Sequence, residues 1–511
     1  MKQQFAETPT LNALHSIGIG TDAWNPARVS VPALRALIRK RDSTYWLKAG
    51  ERKALKLFHA AAHRVPAYKD FLKKHRIQAR KIETIEDFHA LPILTKENYI
   101  RAYSLRERSW DGKIENHSIL AMSSGTSGVP TLWPRGYQQE AEAAFIHEFL
   151  FTDLYEADKY KTLIVICFPM GVYVSGVATA IPTVAAAFKH AKVSVVTAGN
   201  NKDSALLFLQ HFSSEYEQIV LVGHPFFIKD VIETGVEEKM RWTRMRVRTM
   251  FCSEGFSEAW RAYVASLLHT EATTSILSTY GSSEFLLTGF ENPSTIGVRI
   301  AAEKDTVLRE RLFGGSVIPS LFQFNPLSRF IESVGGDLVV TAAAGIPLVR
   351  YNQHDMGMVL PFAHIHDVLK NNHQLRTAWQ WPFVTLFGRS DRTLVLYAAN
   401  IYPEHIQLAL STAQYVQVFT GKFFMEKKEL PRMEQKMVIH IELRPGVKAP
   451  KGFEMHVRDH LVRELTRINI EYRDASAMLG GEKMVPIILL HQHGDPSYFK
   501  PGLKPRFMAP R

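Results

Sequence analysis

Past residue 160 the chain alternates between two textures. Short runs, Val- and Ile-rich in TLIVICF (162–168) and QIVLVG (218–223) and more mixed in RVRTMF (246–251), give way to helically spaced stretches, as in HPFFIKDVI and FSEAWRAYVASLL. A short apolar run bounded by turn residues marks a strand buried on both faces. Strands alternating with helices require an α/β sheet, largely parallel where the crossovers are helical. Before residue 110 the spacing is helical, as in ALKLFHAAAHRV, and Thr95 opens a further helix over TKENYI. Residues 337–360 predict a β-hairpin turning at Gly345 to Pro347. After Gly388 a second, smaller unit is expected, with strands VIHIEL (438–443) and VPIILL (485–490) and a helix near 453–467.

One stretch imitates a membrane span. Residues 162–188, TLIVICFPMGVYVSGVATAIPTVAAAF, carry no charge over a length that crosses a bilayer. Pro169, Gly171, Gly176 and Pro182 divide it into a strand, a Pro-Met-Gly turn and an Ala-rich helix leading to the strand VSVVTA. A buried βαβ unit is therefore predicted. The opening residues MKQQFAETPTLNALHS carry Glu7 early and lack a continuous apolar core, so they do not read as a signal peptide. The two cysteines, Cys167 and Cys252, have no neighbours at metal-ligand spacing and make no disulfide framework, which fits a reducing cytoplasm.

Charge changes the picture only locally. The formal net charge is +12, and residues 35–81 hold 15 Lys/Arg against 3 Asp/Glu. A basic helical stretch is ordinarily a solvated face, and without a nucleic-acid-binding motif that class of partner is disfavoured. An anionic small molecule such as a nucleotide suits a basic protein equally well.

The candidate chemistry begins at MSSGTSGVPT (122–131). Hydroxyl residues interleaved with Gly125 and Gly128 let backbone N–H and side-chain O–H groups converge on one anion. No Gly-Lys-Ser/Thr closes the stretch, so it is not a Walker loop. Four further stretches follow in order: FCSEGFSE (251–258), STYGSSEF (278–285), LVRYNQHDMG (348–357) and LFGRSDRTLVLYAANIYPEHI (386–406). The first two each follow a predicted strand, which puts their side chains at strand C-terminal ends, where α/β sheets bind ligands.

This order of motifs resembles the adenylate-forming enzymes, and specifically their phenylacetate-CoA ligase branch, which also has Thr at the place of Thr131. The resemblance extends over VPAYKDFLKKHRI and IETIEDFHALPILTKENYI and covers the chain from about residue 34. It implies an α/β fold with a large multi-layer N-terminal domain of mixed, largely parallel sheets (1–388). A small, mobile α+β C-terminal domain (389–511) would turn between two half-reactions.

Carried over residue by residue, the resemblance assigns Ser123, Ser124, Gly125, Thr126, Ser127 and Gly128 to the ATP phosphates. Ser253, Glu254 and Gly255 would lie beside adenine, with Gly255 standing where the branch usually has Pro. Tyr280 and Glu284 match a Tyr-Gly-x-x-Glu pattern, with Glu284 as the Mg²⁺ ligand, a role that suits a hard oxygen donor. Asp355 would accept hydrogen bonds from the ribose hydroxyls, with His354 a local hydrogen-bonding neighbour. Arg389 would lie near ribose and phosphate, and Asp391 would be the hinge. LKPRFM nominates Lys504 as the adenylation lysine, with Lys500 as its rival. Tyr173, Phe226 and Phe227 are candidate walls of the acid pocket or residues of the core.

The reaction so implied is attack of a carboxylate, expected to be aryl or arylalkyl, on the α-phosphorus of ATP. Acyl transfer to coenzyme A would follow. Ala398 stands where the branch usually has Gly near the thiol acceptor, so an amine, a carrier protein or a reductase remains an alternative acceptor, and a nucleotide-binding homologue without turnover a further reading. The expected partners are a small carboxylic acid and a nucleotide, without a membrane span, and a homodimer stays open.

Overall fold

In the computed structural model the described residues are 29–123, 131–315, 317–369, 379–389, 393–410, 412–495 and 498–499. Helices occupy most of the described residues before Ile119, as the spacing requires. Helix Ser43–Arg64 starts at Asp42, whose carboxylate accepts from the Tyr45 N–H. Thr95 caps the short turn Lys96–Ile100 reciprocally with Asn98.

Strands β1 (Ile119–Ser123) and β2 (Thr131–Arg135) pair antiparallel on either side of the Ser/Gly stretch. Next come β3 (Thr162–Cys167), β4 (Val193–Thr197), β5 (Gln218–Gly223), β6 (Arg246–Phe251) and β7 (Ile276–Ser282). They lie in the spatial order β4-β3-β5-β6-β7, every pair parallel. Helices Val174–Ala187, Lys202–Phe212, Pro225–Glu237 and Glu258–Leu268 make the crossovers. The uncharged stretch is thus strand, turn and helix, and Pro182 lies inside that helix. No helix among the described residues is long and apolar enough to cross a membrane.

The expectation of a largely parallel sheet needs correction. The same sheet continues through β8 (Leu286–Phe290) and β9 (Ser320–Gln323), and the pairs β7-β8 and β8-β9 are antiparallel. The connection from β7 to β8 is only three residues long, too short for the crossover a parallel pair needs. A second sheet takes β10 (Phe330–Val334), β11 (Asp337–Ala342) and β12 (Leu348–Met356), the last two forming the predicted hairpin. Strands β13 (Val359–Leu360) and β14 (Phe383–Leu386) return to the first sheet and complete nine strands, four of whose eight pairings are antiparallel. Strand β15 (Gly388–Arg389) joins β12.

The remaining chain forms a hairpin of β16 (Leu394–Leu396) and β17 (Ala399–Ile401), then a three-stranded sheet of β18 (Phe419–Glu429), β19 (Gln435–Leu443) and β20 (Ile487–His491). Helices Phe453–Ile468 and Ile470–Leu479 lie between β19 and β20, close to the expected helix. Their apolar faces belong to one buried cluster with helices Pro225–Glu237 and Glu258–Leu268, so the core runs from the large unit into the small one.

Candidate active site

The order β4-β3-β5 means that the chain leaves β3 to one side and returns on the other, which opens a crevice beyond the strands' carboxyl ends. A cavity of about 1880 Å³ fills this crevice. That exceeds an ordinary small-molecule pocket, so it has room for more than one ligand. The residues following β3, β5, β6 and β7 form one wall, and β18, helix Ile470–Leu479 and the β16–β17 turn form the other.

Asp355 is turned into this cavity by an irregularity of β12. Val339 pairs with Asn352 while Asp337 pairs with Met356, so β12 carries two extra residues over this interval. His354 within the bulge has φ 66°, and its N–H donates to Asn352 Oδ1 at 2.6 Å. The Asp355 carboxylate is buried and fixed by donors: Tyr280 Oη at 2.6 Å and Gln353 Nε2 at 2.9 Å, both on Oδ2. Arg389, directly opposite on β15, brings Nη1 to 3.6 Å from Oδ1. Burial, and then the Asp355 charge, push the Tyr280 phenol well above its ordinary range. The structure therefore brings together Tyr280, Asp355 and Arg389 from three distant motifs.

Glu284 lines the same cavity from the turn between β7 and β8. Burial raises its carboxyl pKa, and Lys96 and Arg389 pull it back. Burial in turn lowers the Lys96 ammonium, against which Glu284 is the foremost opposing charge. Lys96 arrives here because Leu94 bridges to Tyr351 of β12. Sequence reasoning used TKENYI only as a helix start and missed this lysine. The available signal was a cation on the first turn of a helix, where the dipole disfavours it.

The other assigned residues divide. Ser123 ends β1 beside the cavity, and its Oγ accepts from Trp133 Nε1 at 2.9 Å, leaving its O–H hydrogen to donate. Ser253 follows β6 with φ 82°. A Cβ on Gly255 would stand 3.0 Å from Ser320 Oγ. Glu254, only 7% exposed, faces the small unit: Lys427 of β18 pairs with Oε1, and the Ala398 N–H donates to Oε2 at 3.3 Å. Burial works to raise Glu254, but Lys427 and His224 outweigh it and hold its pKa below the ordinary value. Tyr173 Oη donates to Asp474 Oδ2 at 3.1 Å, and burial followed by Asp474 pushes the phenol up to about 12. Phe226 and Phe227 line the cavity and also belong to the buried core, where Phe226 meets Tyr397 edge-on at 5.2 Å. Ser124, Gly125, Thr126, Ser127, Gly128, Asp391, Lys500 and Lys504 lie outside the described residues.

Among the described residues one carboxylate triad, Asp230, Glu233 and Glu434, is compact enough for a metal ion. Lysines occupy it instead. Lys229 Nζ stands 2.7 Å from both Glu233 Oε2 and Glu434 Oε1, and Lys483 Nζ 2.7 Å from Asp230 Oδ1. Tyr397 Oη also donates to Glu434, at 2.8 Å, so the cluster ties the β16–β17 turn and the small sheet to helix Pro225–Glu237.

No protein-family profile and no curated protein matches the chain in sequence. Solved structures do match in shape. 2-Hydroxyisobutyryl-CoA ligase in complex with 2-HIB-AMP and CoA, in the thioesterification state, is similar over 91% of this chain and 89% of that chain, with 13% identity and a TM-score of 0.62. Its open conformation, in complex with the same two molecules, covers 91% of each chain at 13% identity and TM-score 0.53. Its postadenylation state with 2-HIB-AMP covers 91% and 89% at 13% identity and TM-score 0.52. At this identity the likeness shows the fold alone: the chain shares the fold of 2-hydroxyisobutyryl-CoA ligase.

Proposed function

We propose that the protein activates a carboxylic acid with ATP as an acyl adenylate and then passes the acyl group to coenzyme A, in the manner of the phenylacetate-CoA ligase branch and on an aryl or arylalkyl acid. The observation that carries this reading is the buried Asp355 carboxylate, oriented by Tyr280 and Gln353 and facing Arg389, in a cavity large enough for a nucleotide and an acyl group together. A carboxylate locked by donors on one oxygen is a preorganised acceptor for paired sugar hydroxyls.

Adenylation requires a carboxylate and a triphosphate to meet, so the site must neutralise negative charge. Lys96 and Arg389 supply cations at the cavity wall, and the Ser123 hydroxyl supplies a donor. Glu284 fits a Mg²⁺ ligand: it is a hard oxygen donor raised by burial, and so gains from a dication beside it. Mg²⁺ held there would shield phosphate charge. Ser124 to Gly128 complete the proposed phosphate loop, Ser253 to Gly255 the proposed adenine wall, Asp391 the hinge, and Lys504, with Lys500 as rival, the adenylation lysine.

The better match to the thioesterification state than to the open or postadenylation states supports reading this arrangement as the one used for acyl transfer. An amine as acceptor is a second reading, favoured by the Ala398 methyl at the turn that enters the cavity. Titration of ATP into wild type and Asp355→Asn tests the nucleotide assignment. Loss of about 1.5–3 kcal/mol, roughly ten- to a hundredfold in affinity, is expected; equal affinities would remove Asp355 from the site.

A further inference from the structure

Five histidines among the described residues are buried: His147, His224, His405, His440 and His460. Four of them have a hydrogen-bond partner on the ring. His224, 4% exposed, has none on Nδ1, and its Nε2 faces only the Glu254 carboxylate. A buried polar group left without a partner costs about 1–3 kcal/mol, so its retention calls for a reason. His224 is the first residue after β5, at the point where the strand order reverses, and it lines the cavity. Its Nε2 stands 3.3 Å from Glu254 Oε2, a contact that helps hold the Glu254 pKa down.

Glu254 connects this ring to the small unit. Its Oε2 accepts from the Ala398 N–H and its Oε1 pairs with Lys427, so the small unit, in this arrangement, reaches to one residue from the histidine. The arrangement also matches 2-hydroxyisobutyryl-CoA ligase at a higher TM-score in its thioesterification state than in its open or postadenylation state. An imidazole with Nδ1 unpartnered and a carboxylate at Nε2, in the wall of a reaction cavity, is equipped to take a proton and hold it.

We propose that His224 accepts the proton of the incoming acyl acceptor in the transfer step, with Glu254 as its positioning residue. The role rests on the adenylation reading above. The acceptor's S–H or N–H bond breaks as its lone pair forms a bond to the acyl carbon. The bond from that carbon to the phosphate oxygen breaks, and its electron pair leaves with AMP. The proton passes to a His224 ring nitrogen, and the imidazolium is stabilised by Glu254. Lys427 and the Ala398 N–H hold that carboxylate in place only while the small unit is docked.

The test compares wild type, His224→Asn and Glu254→Gln in pyrophosphate–ATP exchange, which reads adenylation, and in single-turnover acyl transfer to coenzyme A and, separately, to benzylamine. Transfer by His224→Asn is expected to fall at least a hundredfold while exchange falls less than tenfold. Imidazole added to His224→Ala should restore part of the transfer rate. In Glu254→Gln the pH midpoint of transfer should move down, because the imidazolium loses its carboxylate. Exchange and transfer falling together in His224→Asn, unchanged transfer, or an unmoved midpoint in Glu254→Gln would overturn the assignment. Wild type that exchanges but transfers to neither probe would do the same. Wild type without exchange for any acid would sink the adenylation reading itself, so the two failures are told apart.

Discussion

Glu291 sits beneath the candidate site and is the most informative stability probe. It follows β8, is 1% exposed, and accepts from Arg261 Nη1 at 2.9 Å and Nη2 at 2.7 Å, from Arg299 Nη1 at 3.3 Å and from the Ser278 N–H at 2.8 Å. Glu258 is the other carboxylate, 2.7 Å from Arg261 Nε and 2.6 Å from Arg299 Nη1. Two guanidiniums and two carboxylates balance, and although burial works to lower the Arg261 pKa, the pair of glutamates raises it above its ordinary value. Glu291→Gln leaves a net positive charge in a dry pocket, and removing one partner of a buried ion pair costs about 3–5 kcal/mol. The damage should reach the cavity, because Arg299 donates to the Phe256 carbonyl and Ser278 lies two residues before Tyr280. With a urea m-value of about 3–4 kcal/mol/M for a unit this large, the midpoint should fall by on the order of 1 M. Tryptophan fluorescence follows the large unit, where Trp260 and Trp381 are buried. A shift equivalent to less than about 1 kcal/mol would refute the claim that this charge balance holds the strand ends together.

Three further outcomes follow from the geometry. Tyr397 and Ala398 form a two-residue hairpin turn with φ 49° and 68°, a conformation that favours Gly at the second position, so Ala398→Gly should stabilise by about 0.5–1 kcal/mol; a lower calorimetric melting temperature would contradict this. Burial raises the Glu284 pKa, so its titration destabilises the fold progressively as pH rises from the ordinary glutamate range towards the folded pKa, and in full above that. Glu284→Gln should therefore melt above wild type at pH 7.5, with the gap closing as pH falls through the ordinary glutamate range. Equal melting at pH 7.5 would count against this. A Cβ on Gly357 would stand 2.1 Å from the Thr385 carbonyl, so Gly357→Ala should cost about 2–3 kcal/mol in urea unfolding and weaken ATP binding through Asp355, two residues away; wild-type stability would show that the strands can part there.

The parallel half of the sheet was legible because β3 and β5 are self-contained apolar runs, each followed, like β6, by a helix. The antiparallel half was not. Strand β9 pairs with β14 some sixty residues on, a match set by tertiary register rather than by either short segment. Tyr280, Asp355 and Arg389 were legible as members of motifs, but the bulge that turns Asp355 inward follows from the pairing of β11 with β12. Lys96 and His224 carried weak local signals, a cation at a helix start and a histidine ahead of a helix proline. Their relevance appears only once Lys96 stands beside β12 and Glu254 meets Lys427 across the two units.

The most direct test of the account is exchange of labelled pyrophosphate into ATP by the purified protein, with Mg²⁺, across a panel of aryl, arylalkyl and short aliphatic acids. Acid-dependent exchange is predicted, strongest with an aryl or arylalkyl acid and greatly reduced in Asp355→Asn and Glu284→Gln. No exchange with any acid, or exchange that both variants retain at the wild-type rate, would contradict an adenylate-forming site at this cavity.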